Sequence, residues 1–261
     1  MSTYVMSDIH GCYDEMQMML EQIQFSTDDK LILAGDYIDR GYQSYEMLNW
    51  IMTCPDNVIL LRGNHDQEFV YHVELMQKMC AKQEMDAASV EDTARMYTLI
   101  SRRGIETSQF DRYGTIRELI DKKQVVLTRF TAWAEAVCKM PYVRFCDVNG
   151  KKYAVVHAGY VADLHKAGLD GIYDSVEDFY LCARREAYTL GGLPHGTVIA
   201  GHTPTTVRGQ FPYNEGNVFY YYDEYRDCSF YDIDCGCSSR WAKPGAKLAC
   251  IRLEDETIFY I

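Results

Sequence analysis

The sequence has 261 residues, of which 48% are hydrophobic and 25% are charged, a composition typical of a globular protein with a substantial core. The formal net charge of −12 argues against non-specific nucleic-acid binding, because phosphate backbones are bound by clustered lysine and arginine. No apolar run approaches the roughly 20 residues that a membrane span requires, so we expect neither a nucleic-acid nor a membrane partner.

The first half of the chain alternates short apolar runs with segments of helical periodicity. The apolar runs at 2–6, 31–35 and 57–61 predict buried strands. Between them, residues 14–24 and 44–53 place apolar side chains at the i, i+3, i+4, i+7 spacing of an amphipathic helix. This βαβαβ order predicts parallel strands joined by right-handed crossovers.

Two further apolar runs precede His157 and His202, so that five predicted strands end in polar residues. The polar residues at the first three ends are Asp8 and His10, then Asp36, Asp39 and Arg40, then Arg62, Asn64, His65 and Asp66. Any one of them alone would more often be a turn or core residue. However, the carboxyl ends of strands in an open α/β sheet are where ligands bind, and four of the seven histidines lie at these ends. The coincidence of all five favours a metal site.

The candidate ligands offer carboxylate, imidazole and amide oxygen donors, and none of them is a thiolate. This donor set suits hard or borderline divalent cations such as manganese, iron or zinc. Six candidates are more than one tetrahedral ion needs, which favours two ions that share a bridging carboxylate. Two ions roughly 3.5–4 Å apart can hold the attacking and leaving oxygens of a phosphoryl displacement.

Five motifs occur in order along the chain: DIHG from Asp8, GDYIDRG from Gly35, GNHD from Gly63, HAG from His157 and GH from Gly201. Together they resemble the calcineurin-like metallophosphoesterases, and more narrowly the PPP-type serine/threonine phosphatases in the short form of bacteria and phages. The closing residues 231–261 also resemble the final strands of that family. The resemblance implies an α/β fold, a metallophosphatase β-sandwich of two mixed sheets flanked by helices.

The resemblance also implies two divalent metal ions, with manganese expected and iron or zinc as alternatives. The residues that would hold the first ion are Asp8, His10 and Asp36. The residues that would hold the second ion, with the carboxylate of Asp36 bridging, are Asp36, Asn64, His157 and His202.

For the remaining motif residues the resemblance implies catalytic roles. His65 would be the general acid, oriented by Asp39, and Arg40 would contact the phosphate. A second phosphate-binding arginine of that family usually follows a Leu-Trp pair. Here the segment LCARRE stands in its place, so Arg184 is the expected residue and Arg185 the alternative.

Two nearby positions remain less clearly assigned by the resemblance. Arg62 is expected to support the site from outside the metal ligands or to bind substrate directly. Asp66 stands where many relatives have glutamate, so a hydrogen bond made from that position is expected to differ.

Residues 67–140 show helical patterns without a further ligand set, and we expect them to form a helical insert over the metal edge of a single domain, 1–261. A simple packing insert is the alternative. Residues 217–232 are aromatic and acidic and predict edge strands. No signal peptide is predicted, and ten cysteines without a C-x-x-C pair indicate free thiols in a cytoplasmic protein. A metal site at Cys228, Cys235 and Cys237 remains an alternative.

The leading functional hypothesis is a serine/threonine phosphatase whose partner is a phosphorylated protein or a small phosphoester, attacked directly by a metal-bound hydroxide. The alternative is a diadenosine polyphosphate hydrolase of the same superfamily. Those relatives share the metal motifs but usually lack the acid before Arg-Gly in the second motif, so Asp39 favours the phosphatase. A non-catalytic, metal-stabilised binding module is the third hypothesis.

Overall fold

Two five-stranded mixed sheets pack face to face in the computed structural model, which describes residues 1–102, 109–207, 209, 211 and 214–261. In this described part the strands are β1 (Thr3–Met6), β2 (Lys30–Leu33), β3 (Val58–Leu60), β4 (Val143–Val148), β5 (Lys151–Val156), β6 (Thr197–Ala200), β7 (Phe219–Asp223), β8 (Cys228–Asp232), β9 (Ala249–Arg252) and β10 (Thr257–Tyr260). The helices are α1 (Tyr13–Gln22), α2 (Ser44–Ile51), α3 (Asn64–Gln83), α4 (Val90–Ser101), α5 (Thr115–Lys123), α6 (Leu127–Cys138), α7 (Val176–Cys182) and α8 (Glu186–Thr189).

The first sheet has the strand order β10-β9-β1-β2-β3, and its three N-terminal strands are parallel, as the βαβαβ pattern predicts. The second sheet has the order β4-β5-β6-β8-β7, with β5, β6 and β8 parallel. The predicted fold of two mixed sheets flanked by helices is therefore confirmed. The aromatic segment forms the hairpin β7–β8, with β7 at the edge of the second sheet.

After the polar Thr3 and Lys30 at their starts, β1 and β2 are apolar because both of their faces are buried. Val5 and Ile32 point between the two sheets, where they pack with Val155 and Ile199 of the second sheet. The alternate side chains, such as Leu33, face the helices on the outer side. The strands are shorter than predicted, because 34–35 and 61 already belong to the loops that carry polar residues.

The predicted helical insert is indeed helical, but it begins inside α3 and not after it. Its helices α3 to α6 share one apolar cluster with β1 and β2. At the centre, the ring of Phe130 lies 5.8 Å from that of Trp133 and 6.2 Å from that of Phe69. Across the described ranges, no helix combines the length and apolarity needed to cross a bilayer.

Replacing Phe130 by alanine should lower the free energy of unfolding by about 3–5 kcal/mol, because a fully buried ring is lost and a cavity remains. Chemical denaturation followed by circular dichroism measures this loss. Glu135→Ala, an exposed position on the same helix, is the control and should change little. A loss as small as that of the Glu135→Ala control would contradict the central place of Phe130 in this core.

Candidate metal centre

Loops from both sheets meet at one edge of the molecule and carry the predicted ligands. Asp8 follows β1, Asp36 follows β2, Asn64 follows β3, His157 follows β5 and His202 follows β6. The backbone N–H of His202 donates to Asp8 Oδ2 over 2.9 Å, which ties the loop of the second sheet to that of the first. The structure therefore gathers at one place residues that are up to 194 positions apart.

The backbone turns sharply where these strands end. The residues with φ between 46° and 69° include Asp8, His10, Asp36, Asp39, Arg40 and His202. Left-handed angles at non-glycine residues cost energy and cluster at functional sites. The glycines of the motifs allow close approach, since a Cβ at Gly63 would collide with the Asp36 carboxylate and one at Gly201 with the Asp8 carboxylate.

Asp36 occupies the middle of the cluster. Its Oδ1 accepts a hydrogen bond from the backbone N–H of His65 over 2.9 Å. Its Oδ2 lies 3.4 Å from His10 Nε2 on one side and 3.5 Å from His157 Nε2 on the other. One carboxylate oxygen thus faces both predicted ligand sets, which is the placement that a bridging ligand requires.

The two ligand sets surround this carboxylate on opposite sides. On one side, Asp8 Oδ1 lies 3.7 Å from His10 Nε2. On the other, Asn64 Oδ1 lies 3.0 Å from His157 Nε2 and 2.9 Å from His202 Nδ1. Oxygen and nitrogen atoms that converge in this way could act as ligands of a common cation.

Hydrogen bonds behind two of the imidazoles select the nitrogen that faces the centre. The Nδ1–H of His10 donates to the Ile38 carbonyl over 2.8 Å, and the Nδ1–H of His157 donates to the Ala34 carbonyl over 2.9 Å. These bonds leave Nε2 of both rings unprotonated and directed inward. Metal-binding histidines are commonly oriented in this way.

The charges of the cluster also fit a cation. Burial raises the pKa of the Asp36 carboxyl well above its usual value, and although the His65 charge opposes this shift, the Asp8 charge adds to it. Burial and the charge of Arg40 lower the pKa of His10, and burial and the charge of His157 lower that of His202. Among the described residues, Asp8 Oδ1 is a buried oxygen without a hydrogen-bond partner. Divalent cations would neutralise the carboxylates and use the neutral imidazoles as ligands.

Asp66 has a larger role than the sequence suggested. Its carboxylate accepts hydrogen bonds from the backbone N–H groups of Asp36 at 2.8 Å, Tyr37 at 3.1 Å and Gly63 at 2.8 Å. These bonds join the loop after β2 to the loop after β3. A signal for this role was present in the sequence. Asp66 lies three positions after Gly63, the residue that precedes α3, and a carboxylate at that position can accept a hydrogen bond from the backbone at the helix start.

Asp39 and Arg40 both contact His65, the predicted general acid. The His65 Nδ1–H donates to Asp39 Oδ2 over 2.7 Å, and its Nε2 lies 3.0 Å from Arg40 Nη2. Burial lowers the pKa of His65, but the Asp36 and Asp39 carboxylates outweigh it, so that the pKa is raised overall. Arg40 also lies 2.7 Å from His10 Nε2, which places its guanidinium beside the predicted first metal.

The other arginines differ in position. Arg184 is exposed. Burial lowers the pKa of His202 and the Arg184 charge adds to this shift, whereas burial raises the pKa of Asp232 and the Arg184 charge opposes that shift. Arg62 is not brought into the centre. Its Nη1 donates to Gln67 Oε1 over 2.9 Å and its Nη2 to the Cys138 carbonyl over 2.5 Å. The guanidinium is therefore directed to the end of α6, which favours the supporting role of Arg62 over direct substrate binding, and its contact with substrate stays a prediction.

The remaining candidates lie outside the centre. His165 and His195 are exposed and pair with Asp170 and Asp227, and burial lowers the pKa of His72 to about 4. Within the described residues, the two clusters with metal-binding geometry are His10–Asp36–His65 and Asp36–His157–His202. Neither contains a cysteine, so the alternative site at Cys228, Cys235 and Cys237 receives no support.

The sequence analysis missed two residues of the insert. The ring of Tyr113 lies 4.9 Å from the His65 ring and 5.6 Å from the guanidinium carbon of Arg40. The Thr115 hydroxyl donates to Asp39 Oδ1 over 2.5 Å. Tyr113 and Thr115 thus bring part of the segment 67–140 against the predicted acid pair. No local pattern marks either residue, because each reaches the site only through the packing of α5.

Comparisons with known proteins agree with this geometry. A family model described as "Calcineurin-like phosphoesterase" matches residues 1–206. A "Bis(5'-nucleosyl)-tetraphosphatase, symmetrical" of Vibrio campbellii is 46% identical over 67 residues, 25% of each chain. Another with that description, from Actinobacillus pleuropneumoniae, is 32% identical over 116 residues, 44% of this chain and 43% of the relative. The matches thus span less than half of the length of these curated relatives.

A solved structure is similar over the whole chain. A protein serine/threonine phosphatase of Saccharomyces cerevisiae aligns with a TM-score of 0.55 at 15% identity, covering 100% of this chain and 79% of the other. At this identity the similarity concerns the fold alone. The narrower resemblance to PPP-type phosphatases is therefore not confirmed, because the curated relatives carry the other description.

Replacing Asp36 by asparagine should remove bound metal, because the amide lacks the negative charge that would bridge two cations. Elemental analysis of protein purified after incubation with manganese should show at least one ion fewer than in the unsubstituted chain. Asp56→Asn, on the exposed turn before β3, is the matched control. Full metal content in Asp36→Asn would contradict the bridging role.

Proposed function

The chain belongs to the calcineurin-like phosphoesterase family, and from this membership we propose that it hydrolyses dinucleoside polyphosphates at a centre for two divalent cations. The observation that carries the proposal is the Asp36 Oδ2 atom, which faces His10 Nε2 at 3.4 Å and His157 Nε2 at 3.5 Å. The names of the curated relatives support this substrate class. They favour the second of the hypotheses drawn from the sequence over the serine/threonine phosphatase.

The residues that would hold the cations are Asp8, His10, Asp36, Asn64, His157 and His202. The donor set suits manganese and also fits iron or zinc. When bound, a pair of divalent cations supplies Lewis-acid polarisation of phosphoryl oxygens and lowers the pKa of water. The asparagine and histidine ligands keep the centre from accumulating more negative charge than two cations neutralise.

The other side chains divide the remaining tasks. Arg40 and Arg184 present guanidinium groups to the phosphoryl oxygens, where charge-assisted and bidentate hydrogen bonds are strong. His65 gives the proton at its Nε2 to the leaving oxygen, since its Nδ1–H is engaged by Asp39 over 2.7 Å. Arg40 Nη2 lies 3.0 Å from that same Nε2 and can only donate to it, so Arg40 must turn to the phosphoryl oxygens when His65 Nε2 carries its proton.

A second candidate function is supported by the Asp39–His65 pair itself. A serine or threonine alkoxide is a far poorer leaving group than a nucleoside diphosphate and needs a general acid more. An intact pair with a 2.7 Å bond is therefore suited to phosphomonoesters of phosphoproteins as well. Because of this observation, a phosphatase that acts on phosphoproteins is the alternative function.

Turnover of diadenosine tetraphosphate should exceed that of a phosphoserine peptide when both are compared by kcat/KM with added manganese. Chromatography of the products should show ADP alone, because symmetrical cleavage yields two identical halves. A much faster rate with the peptide would reverse the ranking in favour of the phosphatase. No hydrolysis of either substrate with any divalent cation would instead favour a binding module.

His65→Asn should reduce kcat for an alkyl phosphate by about 10²–10⁴-fold, the usual contribution of a general acid, and reduce it less for para-nitrophenyl phosphate. The acidic phenol leaves without help, which is why the two substrates should separate. His195→Asn, an exposed histidine beside Asp227, is the control. Equal losses on both substrates would refute proton donation by His65.

A further inference from the structure

The carboxylate of Asp39 is held from two sides by different parts of the chain. Its Oδ2 accepts the Nδ1–H of His65 over 2.7 Å, and its Oδ1 accepts the hydroxyl of Thr115 over 2.5 Å. All three residues are buried. Thr115, Asp39 and His65 thus form a continuous hydrogen-bonded row that runs from the helical insert to the metal edge.

The position of the Thr115 hydroxyl is set by the start of α5. The Asp111 carboxylate accepts hydrogen bonds from the backbone N–H groups of Ile116 at 2.8 Å and Arg117 at 2.9 Å. Gly114 takes a left-handed φ of 74°, and its N–H donates to the Asp111 carbonyl over 2.8 Å. A turn bonded this way presents Thr115 in one orientation.

Among the described residues, the other restraints on the Asp39 carboxylate are its partner histidine and its own backbone. The Asp39 backbone is a strained one, with φ of 69° and an N–H that donates to Ser44 Oγ over 3.3 Å. The hydroxyl of Thr115 fixes the plane of the carboxylate, and this plane sets the tilt of the His65 ring.

The same turn also confines the imidazole from the side. The Tyr113 ring lies 4.9 Å from the His65 ring, and it approaches the guanidinium of Arg112 at 4.6 Å. The insert therefore contacts both members of the acid pair, one by a hydrogen bond and one by ring packing. An orienting group that holds the base or acid of a catalytic pair acts through geometry and need not touch the substrate.

We infer that Thr115 is a positioning residue of the hydrolytic reaction, which holds Asp39 so that His65 directs its Nε2 proton at the leaving oxygen. The inference rests on the proposed phosphoester hydrolysis and adds a residue from the insert to it. It concerns the departure of the leaving group and leaves cation binding unaffected. A poor leaving group should therefore register the loss of Thr115, and a good one should not.

The test compares Thr115→Val with Thr115→Ser on glycerol phosphate and para-nitrophenyl phosphate, with added manganese. Thr115→Val should lower kcat on glycerol phosphate by about 10–100-fold and on the aryl ester by less than about 3-fold. Thr115→Ser keeps the hydroxyl and should retain nearly all activity on both esters. Metal content should be unchanged, and Thr128→Val, at an exposed threonine of α6, should have no effect.

The possible outcomes distinguish a failure of the Thr115 role from a failure of the proposed function. Equal losses on both esters, or no loss on glycerol phosphate, would overturn the role of Thr115. If valine prevents folding, Thr115→Ala removes the same hydroxyl without added volume and is judged by the same criteria. Absence of hydrolysis of both esters and of diadenosine tetraphosphate by the unsubstituted chain would defeat the proposed function instead. A leaving-group effect in His65→Asn without one in Thr115→Val would leave that function standing and reject this inference alone.

Discussion

A buried carboxylate at the meeting point of two sheets is the constraint on which this structure depends. Asp36 is 1% exposed, and an isolated ionised carboxylate in such a place would cost several kcal/mol. Three imidazoles lie within 4 Å of its Oδ2, and its Oδ1 is held by a backbone N–H. The left-handed backbone angles and the close-packed Gly63 follow from bringing those partners near.

The sheets act as the frame that holds these groups in register. Because Val5 and Ile32 pack against Val155 and Ile199, the ends of β1 and β2 stay opposite the ends of β5 and β6. Ligands from one sheet can then share a carboxylate with ligands from the other. Loops that are anchored at the ends of packed strands are held more firmly than free loops, which favours a fixed spacing between the donor atoms.

The helical insert adds side chains around the candidate metal centre that the metal-ligand motifs do not include. It supplies Thr115 and Tyr113 to the acid pair and holds Arg62 at the end of α6. Within a family whose metal ligands are common to many activities, the residues outside the ligand set decide which leaving groups and substrates are served. This explains why two substrates are favoured by different observations. The names of the relatives, which reflect the shared motifs, favour dinucleoside polyphosphates. The Asp39–His65 geometry, which reflects the chemistry around the ligands, also suits phosphoproteins.

Much of this molecule could be read from its sequence. Alternating apolar runs and helical periodicity predicted the parallel β1–β3 and their helices, and the polar residues at strand ends predicted where Asp8, Asp36 and His202 would meet. These features are local, because a few consecutive residues are enough to indicate a buried strand and to identify the residue that follows it. Strand ends were misjudged by one or two residues, since the apolar run continues into the loop.

The contacts that join distant segments could be seen only in the tertiary structure. Thr115 reaches Asp39 across 76 positions, Arg62 turns toward Cys138 across 76 positions, and the Asp66 carboxylate reaches the N–H of Asp36 across 30. Such hydrogen bonds depend on how whole helices pack against the sheet, and no periodic pattern or motif specifies that packing. The candidate metal ligands and the family could be predicted from the sequence, because each candidate ligand lies within a few positions after its strand. The arrangement of the groups around them was decided by packing, because a side chain's partner depends on what lies opposite it in space.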